Sequence, residues 1–198
     1  MNYTQHILLV CCWIIFSATH SIFAAGKVKT WCMHTMKSHF KFYRFYFSIL
    51  SFLLLGFVVY LTFSIQSILL WNVLLVQRAA AMLLGITGIV IMTICIRKYF
   101  FYLSGSSVFF NKTEKDVPLR VDGINKYMRH PLYTGTLMVV WSIFLWYPLL
   151  SFFTSVVCIT TYTFIGTRFE EKKLIKTFGI AYINYAAEVP MFFPRLRR

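Results

Sequence analysis

Five apolar runs dominate this chain and restrict the solvent it can fold in. They cover about residues 7–25, 45–64, 79–96, 132–147 and 149–167, and a helical membrane span needs roughly 17–25 predominantly apolar residues. Hydrocarbon offers no partner to backbone N–H and C=O groups, so runs of this length are helical. The last two are short and separated only by Trp146, Tyr147 and Pro148. They read as a helical hairpin that turns at an interface, a depth favourable to aromatic residues. Composition agrees, with 59% hydrophobic and 13% charged residues, against about 25% charged in soluble domains. The expected fold is all-α and polytopic, with about five transmembrane helices. Residues 1–198 are read as a single integral membrane domain, with three spans in 1–104 and a cytoplasmic loop, the hairpin and a C-terminal cytoplasmic helix in 105–198.

Charge sets the expected orientation. Every one of the 20 lysines and arginines except Arg78 falls within 26–44, 97–131 or the tail from 168 onward. The connections on the other side, at 65–77 and 146–148, carry none. By the positive-inside rule the N-terminus lies outside and the C-terminus in the cytoplasm of a multi-pass inner or plasma membrane protein. The formal net charge of +14 is accordingly juxtamembrane, and no nucleic-acid partner is expected, because that use needs a basic face on a soluble domain. A cleaved signal peptide is disfavoured for the first run, since "MNYTQH" lacks a positive n-region. The cysteines are scattered, with no C-x-x-C pair, so neither a metal centre nor a disulfide framework is expected.

Chemistry concentrates at the inner ends of the hairpin. "KYMRHPLYTGTL" places Lys126, Tyr127, Arg129, His130 and Tyr133 at the entrance of the fourth run. Proline disfavours helix for the residue before it and suits the first turn of the helix after it, so His130 sits just outside that entrance. Gly135 leaves room for a ligand or another helix to approach the backbone. Glu170 and Glu171 follow the fifth run directly, and their structural reading is the acidic start of a polar helix. A hairpin brings both groups to its open end. Such a rim suits a charged cofactor beside a lipid-filled cavity: a glutamate can accept hydrogen bonds from an ammonium or from ribose hydroxyls, and tyrosines can stack on a flat heterocycle. His20 lies inside the first apolar run, where an ionisable group is either functional or hydrogen-bonded between helices.

"GINKYMRHPLYTG" followed by "EEKKLIKTFGIAYINYAAEVPMFFP" resembles the isoprenylcysteine carboxyl methyltransferase family, and "THSIFAAGKVKTW" is similar to the related methanethiol S-methyltransferase type. The resemblance covers roughly residues 110–195. It implies an integral membrane enzyme that uses S-adenosylmethionine. On matching positions it implies a cofactor-binding loop at Val117, Pro118, Leu119 and Arg120, with Asn125, Tyr127, Arg129, His130, Pro131, Leu132, Tyr133, Glu170 and Glu171 completing the cofactor site. Asn125 stands where the family often has a tyrosine. Prenylcysteine enzymes carry an arginine about one helical turn before the first glutamate, where this chain has Gly166; Arg168 is the nearest candidate for that role.

The expected activity is methyl transfer from S-adenosylmethionine to a lipophilic or small acceptor, a prenylcysteine carboxylate or a thiol, with Arg168 and Glu170 as catalytic residues. Expected partners are that acceptor and membrane lipid. The alternative is a non-catalytic accessory or lipid-binding protein that retains the fold. Oligomeric state is not legible in the chain.

Overall fold

The computed structural model describes residues 3–103 and 119–194. Among them every named element is helical: α1 (Tyr3–Ala24), α2 (Gly26–Met36), a 3-10 segment (Lys37–Phe42), α3 (Tyr43–Ser64), α4 (Leu75–Leu103), a 3-10 turn (Gly123–Lys126), α5 (Pro131–Trp146), α6 (Leu150–Phe178) and α7 (Ile180–Glu188). Four stretches are long and apolar enough to cross a membrane: Tyr3–Ala24, Gly26–Ser64, Leu75–Arg97 and Leu150–Phe178; α5 is a shorter apolar helix. Large apolar side chains such as Phe52, Leu53, Leu75, Val76 and Leu83 stand exposed, as suits helices whose solvent is lipid. The all-α polytopic expectation holds. One boundary is corrected: Glu170 and Glu171 do not begin a helix, because α6 runs unbroken from Leu150 through both glutamates to Phe178. The chain groups into two compact units, one of residues 1–72, 99–113 and 147–159 and one of 73–98, 114–146 and 160–198.

In the first unit the apolar core is Leu9, Trp13 and Val58, packed by Cys12, Phe16, Leu61, Ile65, Cys158 and Ile159. Lipid is as apolar as leucine, so burial gives helices in a bilayer little reason to associate, and hydrogen bonds supply part of the specificity. Here they do. The Trp13 indole N–H donates to Ser155 Oγ at 2.9 Å, and Thr62 Oγ1 lies 2.8 Å from the same oxygen. His6 Nε2 is 3.2 Å from Ser67 Oγ, which accepts the Ser151 N–H at 2.9 Å. His20 Nδ1 lies 3.0 Å from Ser51 Oγ with its ring against Phe47, so it ties α1 to α3. The two connections that carry no charge also meet: Leu70 N–H donates to Pro148 C=O at 2.8 Å and Leu150 N–H to Ile68 C=O at 3.1 Å.

In the second unit, α4 and the hairpin helices pack closely. Pro131 opens α5, where the missing N–H costs nothing, and the His130 carbonyl accepts the Thr134 N–H at 3.0 Å. Trp141 Nε1 donates to Thr160 Oγ1 at 3.2 Å, joining α5 to α6, and Gln77 Nε2 donates to the Leu145 carbonyl at 2.9 Å, joining α4 to the end of α5. The room at Gly135 is taken by a helix. A Cβ there would meet Met92 Cγ at 2.8 Å and the Gly88 carbonyl at 2.9 Å, and one at Gly88 would meet the Gly135 carbonyl at 2.8 Å. These two glycines set the α4–α5 distance. Gly179, with φ of 57°, ends α6 in the left-handed region that glycine tolerates and lets α7 fold back.

Gly135→Ala should therefore lower unfolding stability by about 1–3 kcal/mol through overpacking, while Gly56→Ala, where a Cβ meets nothing within 4 Å, should not. Thermal unfolding in detergent checks the pair.

Candidate active site

The site is built where the chain enters α5. Just before that entrance the backbone pairs with the segment after α7: Arg129 N–H donates to the Pro190 carbonyl at 2.9 Å and His130 N–H to the Met191 carbonyl at 3.0 Å. Thr134, 1% exposed, donates Oγ1–H to the Phe192 carbonyl at 2.9 Å. Residues 189–192 thus form a strap across the Arg129–His130 step. Its Val189 and Phe192 side chains are buried, which anchors the strap by ordinary apolar burial.

The two glutamates of α6 have different surroundings. Glu171 is nearly enclosed, with 14% of its side chain exposed. Arg129 grips it with both prongs, Nε to Oε1 at 2.8 Å and Nη2 to Oε2 at 2.9 Å. Oε1 also accepts from His130 Nε2 at 2.9 Å and from the Tyr182 hydroxyl at 2.8 Å. Three of these four donors converge on Oε1 and one reaches Oε2. Arg129 is held from its other side too, its Nη1 donating to the carbonyls of Ala186, at 2.8 Å, and Val189. Glu170 is instead 43% exposed. Its Oε2 accepts the Tyr133 hydroxyl at 2.9 Å and faces His130 Nδ1 at 3.9 Å. His130, 6% exposed, lies between the carboxylates, stacked on Tyr133 with ring centroids 5.7 Å apart and 18° between planes.

Burial alone would lower the Arg129 guanidinium, but the hydrogen bonds and charge of Glu171 outweigh it and hold it above its ordinary value. Burial, with the Glu171 hydrogen bond and charge, pushes the Tyr182 phenol well up. At neutral pH the pair is therefore ionised and Tyr182 is a neutral donor.

Of the residues expected from sequence, Arg129, His130, Tyr133, Glu170 and Glu171 come together in this cluster. Pro131 is buried at the helix start and Leu132 is half-buried beside it. Leu119 is half-buried and Arg120 exposed, with the Arg120 carbonyl accepting Asn125 Nδ2 at 3.2 Å. Among the described residues Asn125 Oδ1 is buried without a hydrogen-bond partner, while its backbone carbonyl accepts the Tyr185 hydroxyl at 2.6 Å. Tyr127 is 64% exposed. Val117 and Pro118 lie outside the described residues. Arg168 is exposed, about 200° around the helix from Glu170. Gly166, one turn ahead of Glu170, shares its face, and a Cβ there would meet nothing within 4 Å. Sequence reasoning assigned no role to Tyr182 or to the strap. The only signal was the "FG-x-x-Y-x-x-Y" spacing, which puts two tyrosines one turn apart just past a helix break.

Glu171→Ala leaves a guanidinium and an imidazole unpaired and should cost about 3–5 kcal/mol of stability. Glu170→Ala removes a half-exposed acceptor and should cost under about 1 kcal/mol. Chemical denaturation of the two variants side by side measures the difference.

The same region is what matches known proteins. Residues 76–181, more than half of the chain, match the phospholipid methyltransferase family. A methanethiol S-methyltransferase of Pseudomonas deceptionensis is 39% identical over 85 residues, which are 42% of this chain and 31% of that protein. Another, of Crocosphaera subtropica, is 27% identical over 186 residues, covering 91% of this chain and 71% of that protein. A third, of Pseudomonas sp. GM41(2012), is 28% identical over 198 residues, with 91% and 70% covered. The chain thus spans about a third of the first relative and about seven-tenths of the other two. No solved structure gives a significant match. With the matched stretch holding α5, α6 and both glutamates, the chain belongs to the phospholipid methyltransferase family, a family of membrane methyltransferases.

Proposed function

We propose that this protein methylates a small thiol, with S-adenosylmethionine as donor, at the end of the hairpin that carries His130 and Glu170. The observation that carries the reading is the split of the acidic pair: Glu171 is nearly enclosed and held by four donors, whereas Glu170 keeps an exposed carboxylate beside His130. A non-catalytic scaffold has no need of such an exposed acceptor, and the family match disfavours that reading.

The residues fit the donor. Asn125 Oδ1 is a buried acceptor with no partner among the described residues, and Glu170 offers a carboxylate, so both suit the ammonium or ribose hydroxyls of S-adenosylmethionine. Tyr127 presents an exposed ring for a flat heterocycle. Leu119 and Arg120 border Asn125 through the Arg120 carbonyl. When bound, the donor supplies a methyl group already activated by a sulfonium charge. The chain then has to align acceptor with donor and exclude water. Tyr133 fixes Glu170, and the stacked His130 and Tyr133 rings, with Phe192 against His130, give the site an apolar wall.

Gly166 supports a thiol over a carboxylate acceptor. On the face of Glu170, where prenylcysteine enzymes carry an arginine, this chain has no side chain, and Arg168 lies on another face. No guanidinium is therefore placed there to hold an anionic acceptor in bidentate fashion. Arg168 is accordingly assigned outside the donor site, as a juxtamembrane cation. In this reading the site opens to the cytoplasm, the side that holds the basic segments, and an apolar acceptor arrives through the lipid.

Purified protein incubated with methyl-labelled S-adenosylmethionine and a panel of alkyl thiols, prenylcysteines and phospholipid amines should label the thiols. Label confined to lipid or to prenylcysteine overturns the acceptor, and absence of donor binding overturns the enzyme. Glu170→Ala should weaken donor affinity about 10–100-fold, the loss of one or two hydrogen bonds to a charged group. Arg168→Ala should leave it within about threefold, both read by calorimetry.

A further inference from the structure

His130 has one ring nitrogen whose role the donor site does not explain. Its Nε2 lies 2.9 Å from Glu171 Oε1. That carboxylate is ionised beside Arg129 and is acceptor-only, so Nε2 carries the ring proton. In that tautomer Nδ1 is the ring's lone-pair nitrogen. Nδ1 faces Glu170 Oε2 at 3.9 Å, too far for a hydrogen bond and acceptor against acceptor. Two acceptors held this way call for a donor hydrogen seated about 3 Å from both. The ring cannot swing aside, because Tyr133 stacks on it, Phe192 packs against it and its backbone N–H is held by Met191. The charged and titratable groups around it are Glu170 and Glu171 from α6, Arg129 and Tyr133 from its own segment and α5, and Tyr182 from α7 through the shared Glu171 oxygen.

We infer that His130 Nδ1 is the general base that takes the thiol proton of the methyl acceptor, with Glu171 as the positioning residue that sets its tautomer and Glu170 as the carboxylate that receives the resulting imidazolium. The acceptor's S–H bond breaks and its proton goes to Nδ1. The sulfur electron pair so released forms the new S–CH3 bond as the donor's sulfonium S–CH3 bond breaks, leaving two neutral thioethers. One positive charge passes from sulfonium to imidazolium, between two carboxylates. The inference deepens the thiol methyltransferase reading and rests on it.

A thiol series of falling pKa, assayed at neutral pH, separates a base from a merely structural or donor-binding histidine. With a base in place, kcat/KM of the wild-type protein should change little across the series. His130→Gln should lose about 100-fold on the most basic thiols, at the low end of general-base effects, and less than about fivefold on thiols already ionised. Glu171→Gln should show the same slope in weaker form. Donor affinity, measured by calorimetry, should stay within about threefold of wild type in His130→Gln. Partial unfolding lowers all thiols equally and leaves the slope unchanged, so the slope reads the base alone. If His130→Gln does not fold, the wild-type series still decides. A wild-type rate that tracks the thiolate fraction of each acceptor overturns the base, and so does an equal loss on all thiols in the variant. If no thiol is methylated by the wild-type protein, the thiol reading falls and this inference with it.

Discussion

The bidentate ion pair between Arg129 and Glu171 is the interaction on which the rest of the site depends. It joins Arg129, two residues before α5, to the C-terminal third of α6, and Arg129 extends it to the carbonyls of Ala186 and Val189 at the end of α7. A buried ion pair is weak evidence for stability, since desolvation offsets much of its Coulomb energy. Its contribution here is geometric. A guanidinium fork accepts only one arrangement of a carboxylate, and that arrangement sets the height and rotation of α6 against the mouth of α5. Tyr182 and His130 add two further donors to Oε1 of Glu171 and hold that oxygen in place.

From that constraint the division of labour between neighbouring glutamates follows. Successive residues on a helix point about 100° apart, so fixing Glu171 inward necessarily turns Glu170 toward the rim. The sequence "EE" is therefore one buried pin and one exposed acceptor, and the helix makes the two roles inseparable. The strap at 189–192 acts in the same sense. Its carbonyls hold the Arg129 and His130 backbones, and Phe192 closes one side of the imidazole. Residues far apart in the chain thus determine how one ring is oriented.

The membrane imposes a second constraint, visible in the first unit. Apolar side chains face outward, where lipid is their solvent, and serine, threonine, tryptophan and histidine face inward as pairs. His20 belongs to this set, bound to Ser51 across α1 and α3. In the second unit Gly88 and Gly135 bring two backbones together, alongside the Gln77–Leu145 hydrogen bond. Both devices recur where helices have no hydrophobic driving force to associate.

Much of this was legible in the residues alone. The apolar runs fall on the helices observed, because hydrophobic length is a local property read against a known bilayer thickness. "RHP" marked the mouth of α5, since proline's effect on its neighbour is local too. The helical continuation through Glu170 and Glu171 was not legible, because polarity there mimics a chain leaving the membrane, and neither were the separate roles of the two glutamates. Tyr182, Val189 and Phe192 gave no sign of joining the site. Which donor meets which acceptor across 37 to 60 residues of sequence separation, as in Tyr133–Glu170, 37 apart, and Arg129–Val189, 60 apart, depends on how helices rotate and stack. The chain by itself determined the solvent, the spans and the chemical types at the rim. Only tertiary packing decided which of those groups is buried, which is exposed and which nitrogen of His130 faces which glutamate, because hydrogen-bond geometry is set by three-dimensional contact and not by spacing along the chain.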